Sequence, residues 1–451
     1  MKYLWIAIAA GSLLSGCSLE NKPENTEKMS KNTITKTVLN TETPAPVAKK
    51  VPHKMEAHGV TRTDDYYWMR DDSRTDDAIL AHLELENNYV EAVLAPLKNT
   101  REALFEELVS RIEKDDSTVP VLDNGYWYYT SYSGENEYPV YLRKPTLDAN
   151  PQVLLDANIM SKGHDYFSIG SYAVSENNAL MAYSEDTLSR RIYTIYVKNL
   201  KSDEKLDDVL EGTSGNVVWA NDNTHLFYVK KDPQTLLGYQ VYRHELGTPQ
   251  SDDVLVYEES DPTFYTFISK SKDDSVIYIH HQNTDKTGVS IVDANNPTSP
   301  AKIFLPLKNG QEYSVAKAED GYYVLTNIDA KNFRVMKAPL NATGDVSKWE
   351  DVIAHRPNVF LQSIEVMKNH LVVKEKENGM LRMVVHNLTT NEEKVIPTQD
   401  PIYGAYFYAN PEMDTNTLRI HYSSLTTPAS IVDINLDTLD SEVMKQTRVS
   451  E

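Results

Sequence analysis

Cysteine is nearly missing from this sequence: among 451 residues only Cys17 is one. No intramolecular disulfide can therefore form, whatever the redox state of the compartment. Basic charge is also short, with 45 Lys and Arg against 66 Asp and Glu, a formal net charge of −21. A nucleic-acid partner is excluded on that ground, because phosphate binding needs a basic surface. The acidic surface is solvated and compatible with attraction of cationic peptides. Phe and Trp are scarce at 9 and 5, against 28 Tyr, which suits half-buried strands whose rings pack inward and whose hydroxyls reach water. Catalytic motifs are missing too. No G-x-S-x-G nucleophile elbow occurs beyond residue 17; Gly212-Thr213-Ser214-Gly215 comes nearest, but its second glycine falls one place early, and it reads as a turn. No P-loop or dinucleotide fingerprint is found, so no cofactor is expected. His280 and His281 would point to opposite sides of a strand and cannot chelate one metal together. Asp71, Asp72, Asp76 and Asp77 lack the glycine and glutamate of an EF-hand and read as the acidic start of a helix, so no metal is expected.

What is present is a repeat. From about residue 119 to 438 the chain repeats a β-rich hairpin, a polar turn and a second hairpin. The second strands are marked by Tyr128, Tyr183, Tyr228, Tyr278, Val324, Val373 and Tyr422, spaced 45–55 residues apart. Roughly four short strands per period predict a β-propeller blade, since one four-stranded sheet cannot bury both faces but sheets stacked around an axis can. Turn signals such as Asp123-Asn124-Gly125, Asn221-Asp222-Asn223, Glu319-Asp320-Gly321 and Glu377-Asn378-Gly379 separate the strands. The expected fold is all-β, a seven-bladed β-propeller over residues 118–442 preceded by a helical N-terminal arm over 53–117. Within the arm, residues 76–95 and 99–114 read as two amphipathic helices, with Pro96 breaking the run and Asn99 with Glu102 as a capping box.

The N-terminus reads as a targeting segment over residues 1–17. Lys2 supplies a basic start, and the apolar run 3–13 is too short for a permanent membrane helix. Leu14, Ser15, Gly16 and Cys17 resemble the lipobox of bacterial lipoproteins, which implies lipid attachment at Cys17 and a cell-envelope location, anchored to a membrane and outside the cytoplasm. Ser18 lacks the aspartate linked to inner-membrane retention, which favours the outer membrane. Residues 18–52, rich in Asn, Thr, Lys, Glu and Pro, read as a disordered tether reaching about 30 Å.

Several strings carry a family resemblance. Asp65-Tyr66-Tyr67-Trp68-Met69-Arg70-Asp71-Asp72, Tyr138-Pro139-Val140-Tyr141-Leu142-Arg143, Leu154-Leu155-Asp156-Ala157-Asn158, Arg190-Arg191-Ile192-Tyr193-Thr194 and Val218-Trp219-Ala220-Asn221-Asp222 resemble the N-terminal half of oligopeptidase B, of the prolyl oligopeptidase family of serine peptidases. Ser423-Ser424-Leu425-Thr426-Thr427-Pro428 resembles that family's exit from the ring. The resemblance runs over about residues 52–448. It implies a propeller coupled to an α/β-hydrolase domain that cuts short peptides after Arg or Lys with a Ser-His-Asp triad. No triad position has a match in this sequence, so residues 443–451 read as a truncated linker and no catalytic residue is expected here. The resemblance further implies that the ring gates the active site, and that Trp68, Arg70 and Asp71 belong to an arm packed on the hydrolase domain, which is either missing or a separate chain. Short basic peptides are the implied substrate class. A second reading is a non-catalytic, membrane-tethered propeller that binds peptides or proteins.

Overall fold

The computed structural model describes residues 39, 40 and 42–449. Leu14, Ser15, Gly16 and Cys17, and the tether up to residue 38, lie outside the described residues. The contacts divide the chain into two compact units, one ending at Val109 and one beginning at Ser110.

The first unit holds the hairpin His53–Ala57 and Val60–Asp64 and, but for its last residue Ser110, one continuous helical run over residues 77–110. The expected break into two helices is corrected. The α-helix Asp77–Leu94 passes through the 3-10 turn Ala95–Leu97 directly into the α-helix Lys98–Ser110. Pro96 sits near the start of the tightened turn, where its missing N–H costs least, so the axis continues. Asn99 is therefore inside the run and caps nothing. The cap is Asp76, whose carboxylate accepts from the amides of Ala78 (2.9 Å) and Ile79 (3.1 Å).

The second unit is built of antiparallel sheets laid in chain order. Seven separate four-stranded blades are not what forms. There are four sheets of four strands, one of five strands over residues 116–156, and one of seven strands over residues 168–258. The ring thus has five blade-sized sheets and one double-width sheet, and the seven-bladed expectation is corrected. The cause is the 15-residue strand Lys205–Trp219, which pairs with Tyr193–Asn199 along its first half and with His225–Lys231 along its second. Gly212-Thr213-Ser214-Gly215, expected as a turn, is the kink inside this strand. Gly212 (φ +71°) and Gly215 (φ +87°) take left-handed conformations that bend the chain without ending it. Thr213 donates its hydroxyl to the Tyr193 carbonyl at 2.9 Å and keeps the kink on its neighbour.

Apolar clusters join successive sheets. Leu154 and Leu155 of the first sheet meet Met181 and Tyr183 of the second. Phe227 and Val241 of the second meet Ile268 and Ile279 of the third. Tyr278 and Phe304 meet Tyr322 and Trp349, Leu325 and Val335 meet Leu361 and Val373, and Val372 and Met383 meet Leu418 and Tyr422. Within the double-width sheet its own two halves pack together through Ile195, Leu210, Trp219 and Tyr228. The kink folds one half over the other, which keeps the 45-residue period legible although the strand is shared.

The ring closes by polar contacts. Among the described residues no apolar cluster spans the last and first sheets. Instead buried Arg419 makes a two-pronged pair with Asp433 (2.6 and 2.7 Å) and donates a third bond to the Pro120 carbonyl at 2.7 Å. Lys445 adds a bond to the Ser117 carbonyl at 2.5 Å.

Candidate functional site

Each sheet places one strand against the central axis: Val121–Asp123, Ser168–Val174, Tyr265–Lys270, Tyr313–Ala318, Val359–Val366 and Tyr403–Phe407, together with the second half of Lys205–Trp219. Every inner strand turns back into its second strand at the same end of the ring. The chain enters at the opposite end, where Asp116–Ser117 pairs with the far end of Tyr126–Tyr132. The turn end therefore gathers side chains from residue 123 to residue 412.

Asparagines knit these turns into a belt. Asn124 donates its side chain to the Glu176 carbonyl (2.8 Å), and Asn178 returns a bond to the Asn124 carbonyl (3.1 Å). Asn223 accepts from the Asn177 amide (2.9 Å), and Asn221 donates to the Asp274 carbonyl (2.9 Å). The Asn124 amide donates to Glu412 at 3.1 Å, across the closure. Asn and Asp suit such turns because their short polar side chains tolerate a left-handed backbone, as at Asn124, Asn178, Asn223 and Asp274.

Inside the belt lies a cavity of about 900 Å³, walled by Tyr128, Tyr172 and Trp219 and rimmed by Asp123, Glu176, Lys270, Lys272, Asp274 and Glu412. Lys270 pairs with Glu176 and stands 3.5 Å from Asp274. Lys272 pairs with Glu365, and Lys317 stands 3.3 Å from Asp273. Two carboxylates, Glu176 and Asp274, therefore share Lys270 at the rim. Desolvation by the channel wall, reinforced by Glu176 and Asp123 and only partly offset by Lys270, raises Asp274 to about 6. Asp123 is raised by desolvation first and then by Glu412 and Glu176. Burial also raises Glu365 against the pull of Lys272. Such a rim attracts cations and repels carboxylates.

Trp68, Arg70 and Asp71 lie together in the first unit. The half-buried Trp68 donates its indole N–H to the Lys49 carbonyl at 2.9 Å, with the Lys49 ammonium 4.6 Å from the ring centre. Arg70 pairs with Asp72 at 3.3 Å. Asp71 accepts from the Ser73 hydroxyl (2.6 Å) and from the amides of Asp76 (2.8 Å) and Thr75 (2.7 Å), which hold its carboxyl well below the usual range. These bonds brace the approach to the helix. His280 stacks on Phe267 at 4.5 Å and His281 on Tyr257 at 5.0 Å. No cluster of three metal-ligating side chains occurs among the described residues.

A ring of antiparallel sheets with a charged channel mouth is the architecture of a β-propeller, and residues 46–447 match the family model of the prolyl oligopeptidase N-terminal beta-propeller domain. The chain belongs to that family. It is 39% identical over 431 residues to dipeptidyl aminopeptidase BI of Pseudoxanthomonas mexicana, covering 92% of this chain and 59% of the relative. It is 31% identical over 414 residues to protease 2 of Moraxella lacunata, covering 90% and 59%. Among solved structures it is similar to oligopeptidase B from Leishmania major, with a TM-score of 0.84 and 29% identity, covering 90% of this chain and 61% of that one. The resemblance read from the sequence is thereby established for the propeller part. The chain spans only 59% of the length of these two curated relatives.

Proposed function

We propose that this chain is the propeller part of an oligopeptidase B-like serine endopeptidase that cleaves short peptides after Arg or Lys, with the ring gating access to a hydrolase domain outside these 451 residues. The observation that carries this reading is the rim of Asp123, Glu176, Asp274 and Glu412 around the cavity, which favours entrance of basic peptides. The similarity to oligopeptidase B and to a dipeptidyl aminopeptidase supports a peptide substrate. The catalytic nucleophile, acid and histidine have no counterpart in this chain under this reading; the ring contributes selection, not chemistry.

Fluorophosphonate labelling of native-host membranes, blotted with an antibody to the ring, tests it. The expected result is a labelled band well above 51.2 kDa. Material immunopurified with the same antibody should hydrolyse a fluorogenic Arg-Arg substrate faster than a Gly-Pro one by roughly a hundredfold. An unlabelled band at the mass of this chain would leave a peptide-binding ring and sink the peptidase reading.

The same protein is proposed to be lipid-anchored in the cell envelope through Cys17. Metabolic labelling with an alkyne fatty acid should mark the protein, and Cys17→Ser should abolish the mark and release it from the membrane fraction. Equal labelling of the variant would exclude the anchor.

A further inference from the structure

Most contacts at the turn end join neighbouring inner strands, and two do not. Lys270, the last residue of Tyr265–Lys270, reaches past the inner segment that ends at Trp219 to Glu176, two residues beyond Ser168–Val174. Lys272, two residues on, reaches past Tyr313–Ala318 to Glu365 on Val359–Val366. We propose that these two lysines form a latch that holds the turn-end mouth of the channel narrow, and that the mouth widens when both pairs are broken.

The base from which the two arms spring is firm. Ser271 between them is buried; its hydroxyl donates to Asp273 at 2.6 Å and accepts from the Val276 amide at 2.9 Å. The Ser275 hydroxyl bonds both oxygens of the same carboxylate, at 2.8 and 2.9 Å. From this base the arms run to opposite sides of the opening. A contact between adjacent strands fixes only local spacing, whereas a chord between non-adjacent strands limits how far the ring can spread. The Lys272 pair also bounds the space: none of the residues lining the 900 Å³ cavity comes from Tyr313–Ala318 or Val359–Val366.

The pairs are enclosed enough to hold and exposed enough to part. Side-chain exposure is 15% and 28% for Lys270 and Glu176, and 16% and 17% for Lys272 and Glu365. Charges at that depth are screened less than surface pairs, which contribute little, yet they do not carry the full penalty of separating charges in a dry core. Strong salt or a competing ion can therefore reach them. The latch stands independently of the peptidase reading, because it concerns the width of the mouth whatever passes through.

Two measurements on the full chain decide it. Spin labels at Lys201→Cys and Asn341→Cys, in a Cys17→Ser background, sit on outer turns of the second and fourth sheets at the same end of the ring. Their dipolar distance distribution is expected to be narrow, and to broaden and move outward in Glu176→Gln/Glu365→Gln. In the unsubstituted chain, Lys270 and Lys272 should acetylate roughly tenfold more slowly than exposed Lys308, because each ion pair must open first. An unchanged distribution in the double variant, or equal acetylation of the three lysines, would overturn the latch. Should the double variant fail to fold, 1 M salt, which cuts the screening length to about 3 Å, replaces it with the same two outcomes.

Discussion

His244 is held at both ring nitrogens. It is fully buried between Asp253, 2.7 Å from its Nδ1, and Asp208, 3.0 Å from its Nε2. The other oxygen of Asp253 accepts from the Tyr228 hydroxyl (2.8 Å), and the Asp208 oxygen that faces His244 also accepts from the Gly247 amide (2.6 Å). Burial alone would lower the imidazole pKa, but the hydrogen bonds and charges of Asp253 and Asp208 outweigh it and hold the pKa above 6.5. The stabilisation from the protonated ring is therefore complete below about pH 6.5, the unfolded value, and is lost as pH rises through the higher folded value. Urea midpoints should fall between pH 6 and pH 9 in the wild type more than in His244→Gln. His244→Ala, which leaves two buried carboxylates facing each other, should lose roughly 3–5 kcal/mol at neutral pH. A flat wild-type profile would show that the ring is neutral. No spacing in the sequence announces this trio, because residues 208, 244 and 253 meet only when the two halves of the double-width sheet pack on each other.

At the scale of elements, the shared strand Lys205–Trp219 decides how the ring is divided. Its kink has no room for a side chain at Gly215: a Cβ there would come within 2.9 Å of the Ser184 hydroxyl and of the Tyr193 ring. Gly215→Ala should cost about 2 kcal/mol, combining a left-handed alanine with that crowding. Chemical denaturation measures the loss, and hydrogen exchange should locate it at residues 205–219. A variant as stable as the wild type would mean that the strand can break there without cost. The four-residue string was legible as a place where the chain bends. Whether the bend ends a strand or passes through it depends on pairing partners on both sides, which local composition does not encode. Pro96 teaches the same point in the arm, since a proline inside a 3-10 turn need not stop a helix.

At the scale of the whole molecule, the seam between last and first sheets is the part held without an apolar core. Arg419→Met should leave Asp433 half-buried without its partner and cost roughly 3 kcal/mol, seen as a lower denaturant midpoint. Exchange should rise first at residues 121–128 and 417–424, and exchange that rises evenly around the ring would count against a weak seam. The sequence by itself determined the repeat, its period and its hairpins, because tyrosines and valines recur on the second strand of each unit and Asn, Asp and Gly mark most turns. It also carried the family resemblance, since those strings lie within contiguous strands and turns. Only the tertiary structure decided the number of separate sheets, the continuity of the arm helix and the membership of the charged mouth. Asp123, Glu176, Lys270, Glu365 and Glu412 are each unremarkable charges beside a turn. They become one site because closing a ring brings strand ends almost 300 residues apart to one opening, and no local pattern records that distance.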